Sequence, residues 1–332
     1  MGKTGVGVIG VGSFGEAHVQ AYRALREVEI VALCDTREDR LREMATKYGI
    51  AHTYTDAREL CARRDIELVS IVTPGVKHLE PVLAAAKAGK HILLEKPIAT
   101  SMKEAEAIVQ AAATAGVHLM VGHILRFENN YGTLGREIAQ GNLGKIVSIR
   151  AQRNRPRWVY RTILRGHPFL EDSIHDIDLC LWYTQDQVRS VRAFTRHVQG
   201  DGFPEINWAF LEFRSGCVAC LESQWLIPDP AGVTTNDAIQ VIGTKGVADI
   251  HFVPASLNLW KEQGPESLNV SYDATFAGKI WGAIKEEVGH FVDCVRSGVA
   301  PEMVTPGDAC AALKVALALV QSAQEQRDVT ID

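Results

Sequence analysis

The sequence lacks any apolar segment of the roughly 18 residues that a membrane span requires. Its longest apolar stretch near the C-terminus, from Ala309 to Val320, is interrupted by Lys314. The residues before Val6 are too few and too glycine-rich for a signal peptide, and Val6 stands where a myristoylation motif needs Ser or Thr. We therefore expect a cytoplasmic protein with no membrane partner.

An excess of positive charge and a disulfide framework are also missing. The chain has 35 Lys and Arg against 40 Asp and Glu, a formal charge of −5, which speaks against a nucleic-acid partner. Its seven cysteines are odd in number and scattered, as in a reducing compartment. Cys217 and Cys220 lie three apart in a predicted strand and point to opposite faces, so we predict no metal site there.

The rest of the composition is that of a globular protein. The 332 residues are 46% hydrophobic and 23% charged, a length that suggests about two domains of roughly 100–200 residues. Up to Gly122, short apolar runs alternate with helical patterns, which predicts a doubly wound parallel α/β sheet. From residue 123 to 332, strand-like segments dominate and predict an antiparallel sheet accompanied by helices. The predicted strands of the first domain run from Val6 to Ile9, Ile30 to Cys34, Leu68 to Val72, His91 to Leu94 and Val117 to Val121.

A glycine-rich loop follows the first predicted strand. Gly10-Val11-Gly12-Ser13-Phe14-Gly15 is a G-x-G-x-x-G that opens a helix, whose backbone N–H groups and dipole would face a pyrophosphate. Asp35 ends the second strand, at the position where a carboxylate accepts hydrogen bonds from an adenosine ribose diol. That charge would repel a 2′-phosphate, so we expect NAD rather than NADP, although Arg37 would soften the preference by pairing with the phosphate.

Four further motifs follow in order along the chain. They are Thr73-Pro74 with His78, Glu95-Lys96-Pro97, Gly122-His123 with Arg126-Phe127, and His175-x-x-Asp178. In this combination the chain resembles the Gfo/Idh/MocA oxidoreductases, the family of glucose–fructose oxidoreductase and inositol dehydrogenase, over essentially its whole length. The resemblance implies a Rossmann domain and a C-terminal α/β domain, whose large, mostly antiparallel open-faced sheet forms homodimers or homotetramers.

The resemblance also implies NAD-dependent hydride transfer at a carbon that bears a secondary hydroxyl, on a sugar or a cyclitol. It implies cofactor contacts from Gly10, Gly12, Ser13, Phe14, Gly15, Asp35, Thr36, Arg37, Thr73, Pro74, His78, Glu95 and Lys96. Some relatives in such a family bind the dinucleotide as a signal without turnover, and this non-catalytic alternative stays open. A basic lysine and histidine in the motifs argue against it.

Alcohol oxidation needs a base and a cation at the same oxygen. Lys96 follows a parallel strand at the edge where ligands of such sheets gather, and its charge would stabilise an alkoxide. His175 can accept a proton near neutral pH. The periodicity predicts a helix from about Asp172 to Tyr183, and Glu171, four residues before His175, would share its face. Inositol dehydrogenase-like members carry Asp at the position of Glu171, and Asp172 follows it. Which acid partners His175 or the substrate, and whether Lys96 or His175 is the principal base, stays open.

Six arginines and no acid lie between Arg150 and Arg165, with Trp158 and Tyr160 among them. Guanidinium groups bind phosphate and aromatic rings stack on bases, so we expect a nucleotide-sugar substrate, such as UDP-N-acetylglucosamine oxidised at C3. Free sugars or inositols are the alternative, with the arginines then in a solvated loop or paired with acids across an oligomer interface. The candidate substrate-binding residues are Arg126, Arg153, Arg155, Arg157, Trp158, Tyr160, Arg161, Asp172 and His175.

Overall fold

The structure is a computed structural model of the chain. It describes residues 2–162, 166–200, 202–253, 257–261, 264–268, 271–272, 274–276 and 278–331. The chain forms two compact units. Unit 1 contains the residues up to Glu128 together with Ser271–Cys310, and unit 2 contains Asn129–Val270 and the residues from Ala311 onwards. The predicted single boundary at Gly122 thus differs from the structure, in which the chain leaves unit 1 after Glu128 and later returns to it.

Unit 1 is built on a six-stranded sheet in the order β3-β2-β1-β4-β5-β6, with parallel neighbours. This order is that of a Rossmann fold and confirms the predicted doubly wound sheet. The predicted strands correspond to five of the six observed ones, and β3 was missed because it has only three residues. The elements are β1 (Thr4–Ile9), α1 (Ser13–Ala24), β2 (Val28–Cys34), α2 (Glu38–Tyr48), β3 (His52–Tyr54), α3 (Ala57–Cys61), β4 (Leu68–Ile71), α4 (Leu79–Lys87), β5 (His91–Glu95), α5 (Met102–Ala115) and β6 (Leu119–Gly122).

The central strands of this sheet are apolar because helices cover both faces. Every residue of β1, β4 and β6 is buried, as expected where crossovers pack on both sides of a parallel sheet. Helix boundaries follow local signals. Ser101 accepts the backbone N–H of Glu104 to begin α5, and Gly116 in the left-handed region ends it.

Unit 2 is built on a seven-stranded sheet in the order β12-β11-β7-β10-β9-β8-β17. The pair β7 and β10 is parallel and the other neighbours are antiparallel, which confirms the predicted mostly antiparallel sheet. Its elements begin with α6 (Asn129–Ala139), β7 (Ile146–Pro156), α7 (Arg157–Thr162), α8 (Pro168–Glu171), α9 (Ile174–Thr184), β8 (Val188–Arg196), β9 (Ile206–Phe213), β10 (Val218–Ile227), β11 (Asn236–Gly243), β12 (Val247–His251), β13 (Leu257–Lys261) and β14 (Gly264–Leu268).

The last part of the chain contributes to both units. It comprises β15 (Thr275–Phe276), β16 (Lys279–Ile280), α10 (Ala283–Ser297), α11 (Pro306–Glu325) and β17 (Val329–Thr330). In unit 1, α10 packs on α1, on β5 and on a 3₁₀ turn at Ile124–Phe127. None of the helices within the described residues combines the length and the apolar character needed to span a bilayer.

Candidate active site

The three glycines of the nucleotide loop differ in why each position is occupied by glycine. Gly10 has a φ of +89°, and a Cβ there would approach the carbonyl oxygen of Val72 to 2.6 Å. A Cβ on Gly15 would lie 1.9 Å from the Gly10 carbonyl oxygen, so close helix–strand packing demands glycine. A Cβ on Gly12 would meet nothing within 4 Å. Gly12 also begins α1 without a side-chain cap, so the loop fits a pyrophosphate approaching the helix N-terminus.

Asp35 is held at the rim of this loop by two backbone groups. Its Oδ2 accepts the N–H of Val11 and its Oδ1 accepts the N–H of Arg37, both at 2.9 Å. Each carboxylate oxygen has a second acceptor position, which is what a ribose diol needs. The Arg37 side chain is 60% exposed with its Nε 3.8 Å from Oδ1, and Thr36 between them is exposed.

A polar network that the sequence motifs do not reveal fixes the loop from α2. Arg40 Nε donates to the carbonyl of Val11 at 2.9 Å, and its guanidinium pairs with Glu16 of α1 at 2.5 Å. Glu16 also accepts from Lys47 at 2.6 Å and from the Tyr48 hydroxyl at 2.7 Å. Burial alone would raise the pKa of Glu16, but these hydrogen bonds lower it to about 2. A short-range signal was absent because the partners lie 24 to 32 residues from Glu16.

His78 lies behind the loops that follow β4 and β5. Its ring is buried, with Nε2 2.8 Å from the carbonyl oxygen of Thr73 and Nδ1 3.4 Å from that of Ile98. Burial lowers the pKa of His78. Between Thr73 and His78, Pro74 leads into a 3₁₀ turn that packs on Pro97. His78 therefore connects the two loops through their backbones, and its predicted contact with the cofactor stays a prediction.

Lys96 follows β5 and is half-buried. Because β1 and β5 both flank β4 in a parallel sheet, Lys96 and the glycine loop lie at the same carboxyl edge of unit 1. The backbone N–H of Lys96 donates to Oε2 of Glu95 at 3.2 Å, and Oε1 of Glu95 lies 3.1 Å from Nε2 of His18. Glu95 thus points into the unit, where it holds the first residue of the loop.

In unit 2, His175 lies in the first turn of α9 and is half-buried. The sequence predicted one helix from about Asp172 to Tyr183 with Glu171 on the same face as His175. The structure differs, since α8 ends at Glu171 and α9 begins at Ile174, with Asp172 outside helical geometry between them. The backbone N–H of His175 donates to the carbonyl of Asp172 at 3.2 Å. The i, i+4 spacing therefore does not by itself bring Glu171 to the imidazole.

Asp172 is buried with partners inside unit 2. Its Oδ1 lies 3.2 Å from a guanidinium nitrogen of Arg155, and its Oδ2 accepts the Ser223 hydroxyl at 3.3 Å. Burial raises the pKa of Asp172, and the charge of Arg155 opposes that rise. The carboxylate precedes the His175 helix and fixes it to β7 and β10, while its predicted catalytic role stays a prediction.

Two arginines of the basic run point into unit 2 and meet carboxylates there. Arg153 is 2% exposed and donates to both oxygens of Asp176, at 2.9 and 2.7 Å, and to Asp237 at 2.9 Å. Arg155 also pairs with Asp237. These acids come from α9 and β11, which is why the local sequence shows none. The last arginine of the run, Arg165, lies outside the described residues.

Of the other described arginines, Arg150 is exposed on β7, and Arg157 and Arg161 lie on α7, a helix at the surface. Arg157 is exposed and Trp158 is 39% exposed. Arg161 pairs with Asp229, which also accepts the backbone N–H of Trp158 at 2.9 Å. The Tyr160 hydroxyl donates to a backbone carbonyl in the segment before β9 at 2.7 Å. Arg150, Arg157, Arg161 and Trp158 are thus the exposed arginines and aromatic residue of the run among those described here.

Arg126, the other predicted substrate residue, is 4% exposed in unit 1. One guanidinium nitrogen donates to the carbonyl of Met303 at 2.7 Å and lies 3.4 Å from Asp308. These partners belong to the returning segment of the chain. Arg126 therefore anchors that segment, and contact with a substrate stays a prediction.

Comparison with family models agrees with this geometry. Residues 4–123 match the model of an oxidoreductase family with an NAD-binding Rossmann fold, and residues 131–249 match the GFO/IDH/MocA C-terminal domain. The chain belongs to the Gfo/Idh/MocA oxidoreductase family. The predicted resemblance is thereby confirmed, as are the predicted NAD cofactor and the enzymatic rather than purely regulatory character of this Gfo/Idh/MocA protein.

Relatives of known name cover nearly the whole chain. Myo-inositol 2-dehydrogenase of Thermotoga maritima is 28% identical over 98% of both chains. D-apiose dehydrogenase of Paraburkholderia graminis is 27% identical over 98% of this chain and 88% of its own. The crystal structure of a probable dehydrogenase from Thermotoga maritima superposes with a TM-score of 0.83 at 26% identity, over 98% of both chains.

Proposed function

We propose that this protein oxidises a secondary ring hydroxyl of a free sugar or an inositol to a ketone, with NAD as the hydride acceptor. The observation that carries the proposal is the position of Lys96. A half-buried lysine lies at the carboxyl edge of the sheet that also bears the glycine loop and Asp35. The names of the inositol and apiose dehydrogenases among its relatives support a polyol or sugar substrate.

In the proposed reaction, the residues of this chain handle charge and proton. The ammonium group of Lys96 stabilises the developing alkoxide, because a fixed positive charge at that oxygen lowers the energy of the transition state. His175 accepts the hydroxyl proton as a general base. NAD, when bound, would accept the hydride from the carbon that bears this hydroxyl group, so that the alcohol loses two electrons and becomes a ketone.

The nucleotide-sugar substrate favoured by the sequence has lost its support. That prediction required arginine side chains that could bind a diphosphate. Arg153, Arg155 and Arg161 instead have carboxylate partners within the protein. The relatives also favour the alternative, since their names are those of dehydrogenases of inositols and a free sugar. A free sugar or inositol needs no diphosphate site.

The test is NADH formation across inositols, free hexoses and pentoses, and UDP-sugars, with a carbonyl trap to draw off the ketone. We expect turnover with the first two groups and none with UDP-sugars. Lys96→Ala and His175→Ala should each lower kcat at least roughly a hundredfold, the usual scale for acid–base groups. The exposed Lys103 and His251 give matched controls, and Lys103→Ala and His251→Ala should leave kcat unchanged. Turnover confined to UDP-sugars would reject the proposed substrate.

We also propose that the protein is a homodimer through the outer face of the unit 2 sheet. Phe194, Trp208, Phe210 and Val218 are 44%, 37%, 47% and 51% exposed on three adjacent strands. Phe194 lies opposite Trp208 in the ladder, so these side chains share one face. Several large exposed apolar side chains on one face of a sheet are typical of a self-complementary interface.

Light scattering after size-exclusion chromatography tests this assembly. The unchanged protein should elute as a dimer or a larger even oligomer, and Phe210→Asp should yield monomers. Val299, 57% exposed after α10 in unit 1, supplies the control, since it lies outside the unit 2 sheet and Val299→Asp should leave the oligomer intact. A monomeric parent protein would contradict the proposal.

A further inference from the structure

A buried chain of hydrogen bonds leads through unit 1 to the residue before the Lys96 loop. The hydroxyls of Tyr22 and Ser70 are 2.7 Å apart, and Ser70 Oγ lies 3.2 Å from Nδ1 of His18. Nε2 of His18 lies 3.1 Å from Oε1 of Glu95. The other oxygen of Glu95 accepts the backbone N–H of Lys96 at 3.2 Å. α1, β4 and β5 are thereby connected by side chains that are almost entirely buried.

The chemistry of these groups sets the direction of each bond. A carboxylate of Glu95 can only accept, so Nε2 of His18 carries the hydrogen. Nδ1 of His18 is then an acceptor, which receives the Ser70 hydroxyl, and Ser70 in turn accepts from Tyr22. With a neutral His18 imidazole, every group in this hydrogen-bond chain has a partner of the right kind. The chain therefore ends in one negative charge, on Glu95.

Glu287 of α10 lies against the same carboxylate without a hydrogen bond of its own. It is fully buried, and one of its oxygens lies within 4.8 Å of the facing atoms of His18 and Glu95. Neither of its oxygens has a hydrogen-bond partner among the described residues. A buried carboxyl group in this position calls for an explanation, because an unpaired charge in a dry interior is costly.

The groups that face Glu287 from the elements around α10 do not offer it a counter-charge. α1 presents His18 and Tyr22, and β5 presents Glu95. The 3₁₀ turn carries Arg126, whose guanidinium donates to the Met303 carbonyl beside Asp308. Burial raises the pKa of Glu287 well above its ordinary value, and the charge of Glu95 raises it further. Both effects favour the protonated form.

We propose that Glu287 is a neutral carboxylic acid in the folded protein and donates a hydrogen bond to Glu95, which makes it a positioning residue for the Lys96 loop. The carboxylate of Glu95 then has three donors, from His18, from the Lys96 backbone and from Glu287. Only the effect on turnover rests on the role proposed above for Lys96. The protonation state of Glu287 is a property of the folded protein alone.

Glutamine is isosteric with the neutral acid and keeps a donor, so Glu287→Gln tests the protonation state. If Glu287 is protonated in the folded protein at neutral pH, its folded pKa lies above its unfolded pKa. The parent protein then has its full stability below the unfolded pKa and loses stability as pH rises towards the folded pKa. The urea midpoint of Glu287→Gln should therefore rise relative to the parent protein between about pH 5 and pH 8. Glu286→Gln, its exposed neighbour on α10, should follow the parent protein at every pH.

A difference between Glu287→Gln and the parent protein that does not vary with pH would overturn the proposal, because Glu287 would then be ionised. Elemental analysis gives a second check, since His18, Glu95 and Glu287 have the ligand types of a divalent cation site. One equivalent of metal in the parent protein, absent from Glu287→Gln, would also overturn it. The unfolding and elemental-analysis experiments need no substrate, so they remain decisive if the proposed function fails.

Turnover tests the positioning role. Glu287→Leu removes the donor, and we expect kcat to fall about tenfold, the scale of one hydrogen bond to a charged group. Glu287→Gln should restore kcat to within about twofold, because it replaces the donor. A normal kcat in Glu287→Leu would reduce Glu287 to a packing residue, and an equal loss in both variants would show that a carboxyl group is required.

Discussion

Replacing Asp35 with Asn should reverse the discrimination between NADH and NADPH. In the structure, each Asp35 oxygen already accepts one backbone N–H at 2.9 Å and has one acceptor position left for a ribose hydroxyl. An asparagine keeps one acceptor oxygen and turns the other into a donor. The variant therefore loses charge assistance on one diol hydrogen bond and the second bond altogether.

The magnitudes follow from the charge and the geometry. A hydrogen bond to a charged group contributes about 1.5–3 kcal/mol and a neutral one about 1 kcal/mol. One diol bond therefore loses about 0.5–2 kcal/mol and the other about 1.5–3 kcal/mol, which together weaken NADH binding by at least roughly 30-fold in Kd. For NADPH, a carboxylate about 5 Å from one phosphate charge costs about 3 kcal/mol at an effective dielectric constant of 20. Asp35→Asn removes that repulsion, which should lower the Kd for NADPH roughly a hundredfold.

Fluorescence titration with NADH and NADPH measures both constants without a substrate. The parent protein should bind NADH at least roughly a hundredfold more tightly, and Asp35→Asn should bind NADPH at least as tightly as NADH. The exposed Asp39, in the first turn of α2, provides the control Asp39→Asn with an unchanged ratio. Tighter binding of NADPH by the parent protein, or an unchanged ratio in Asp35→Asn, would refute the reasoning.

Four other substitutions test the scaffold around the site. Gly12→Ala should keep the urea midpoint but weaken NADH binding, whereas Gly15→Ala should lower the midpoint, because its Cβ would lie 1.9 Å from a carbonyl oxygen. Asp176→Asn should cost about 3–5 kcal/mol in urea unfolding, since it leaves a buried guanidinium short of a partner, and a cost below about 1 kcal/mol would contradict this. The pKa of Glu16 is lowered from 4.5 to about 2, so its contribution to stability is present above pH 4.5 and is lost as pH falls towards 2. Glu16→Gln should lack this loss in acid unfolding curves.

The features that the sequence predicted well depend on neighbours in the chain. The glycine loop, Asp35 and the Lys96 loop each occupy the end of a strand, and an apolar run followed by a turn is visible within about ten residues. The parallel sheet follows from the same periodicity. Family membership could likewise be predicted, because the motifs appear in a fixed order.

The features that the sequence did not predict depend on partners far along the chain. Arg153 and Arg155 form part of a basic run in sequence, yet Arg153 meets Asp176 and Asp237 at separations of 23 and 84 residues. A count of local charge therefore predicted an anion site where the fold places internal ion pairs. The return of the chain to unit 1 was missed for a similar reason, since the periodicity of α10 predicts a helix but not the sheet on which it packs.

The motifs themselves mix two kinds of residue that sequence patterns cannot separate. In Glu95-Lys96-Pro97, the lysine is half-buried at the sheet edge, whereas the glutamate points inward to His18. In Thr73-Pro74 with His78, the histidine is buried between two backbone carbonyls. A motif records which residues a site needs, whether they touch a ligand or hold the loop that does. Glu287 extends this supporting layer to a helix nearly 200 residues further along the chain, where no motif would reveal it, and the pH dependence of Glu287→Gln measures whether it belongs there.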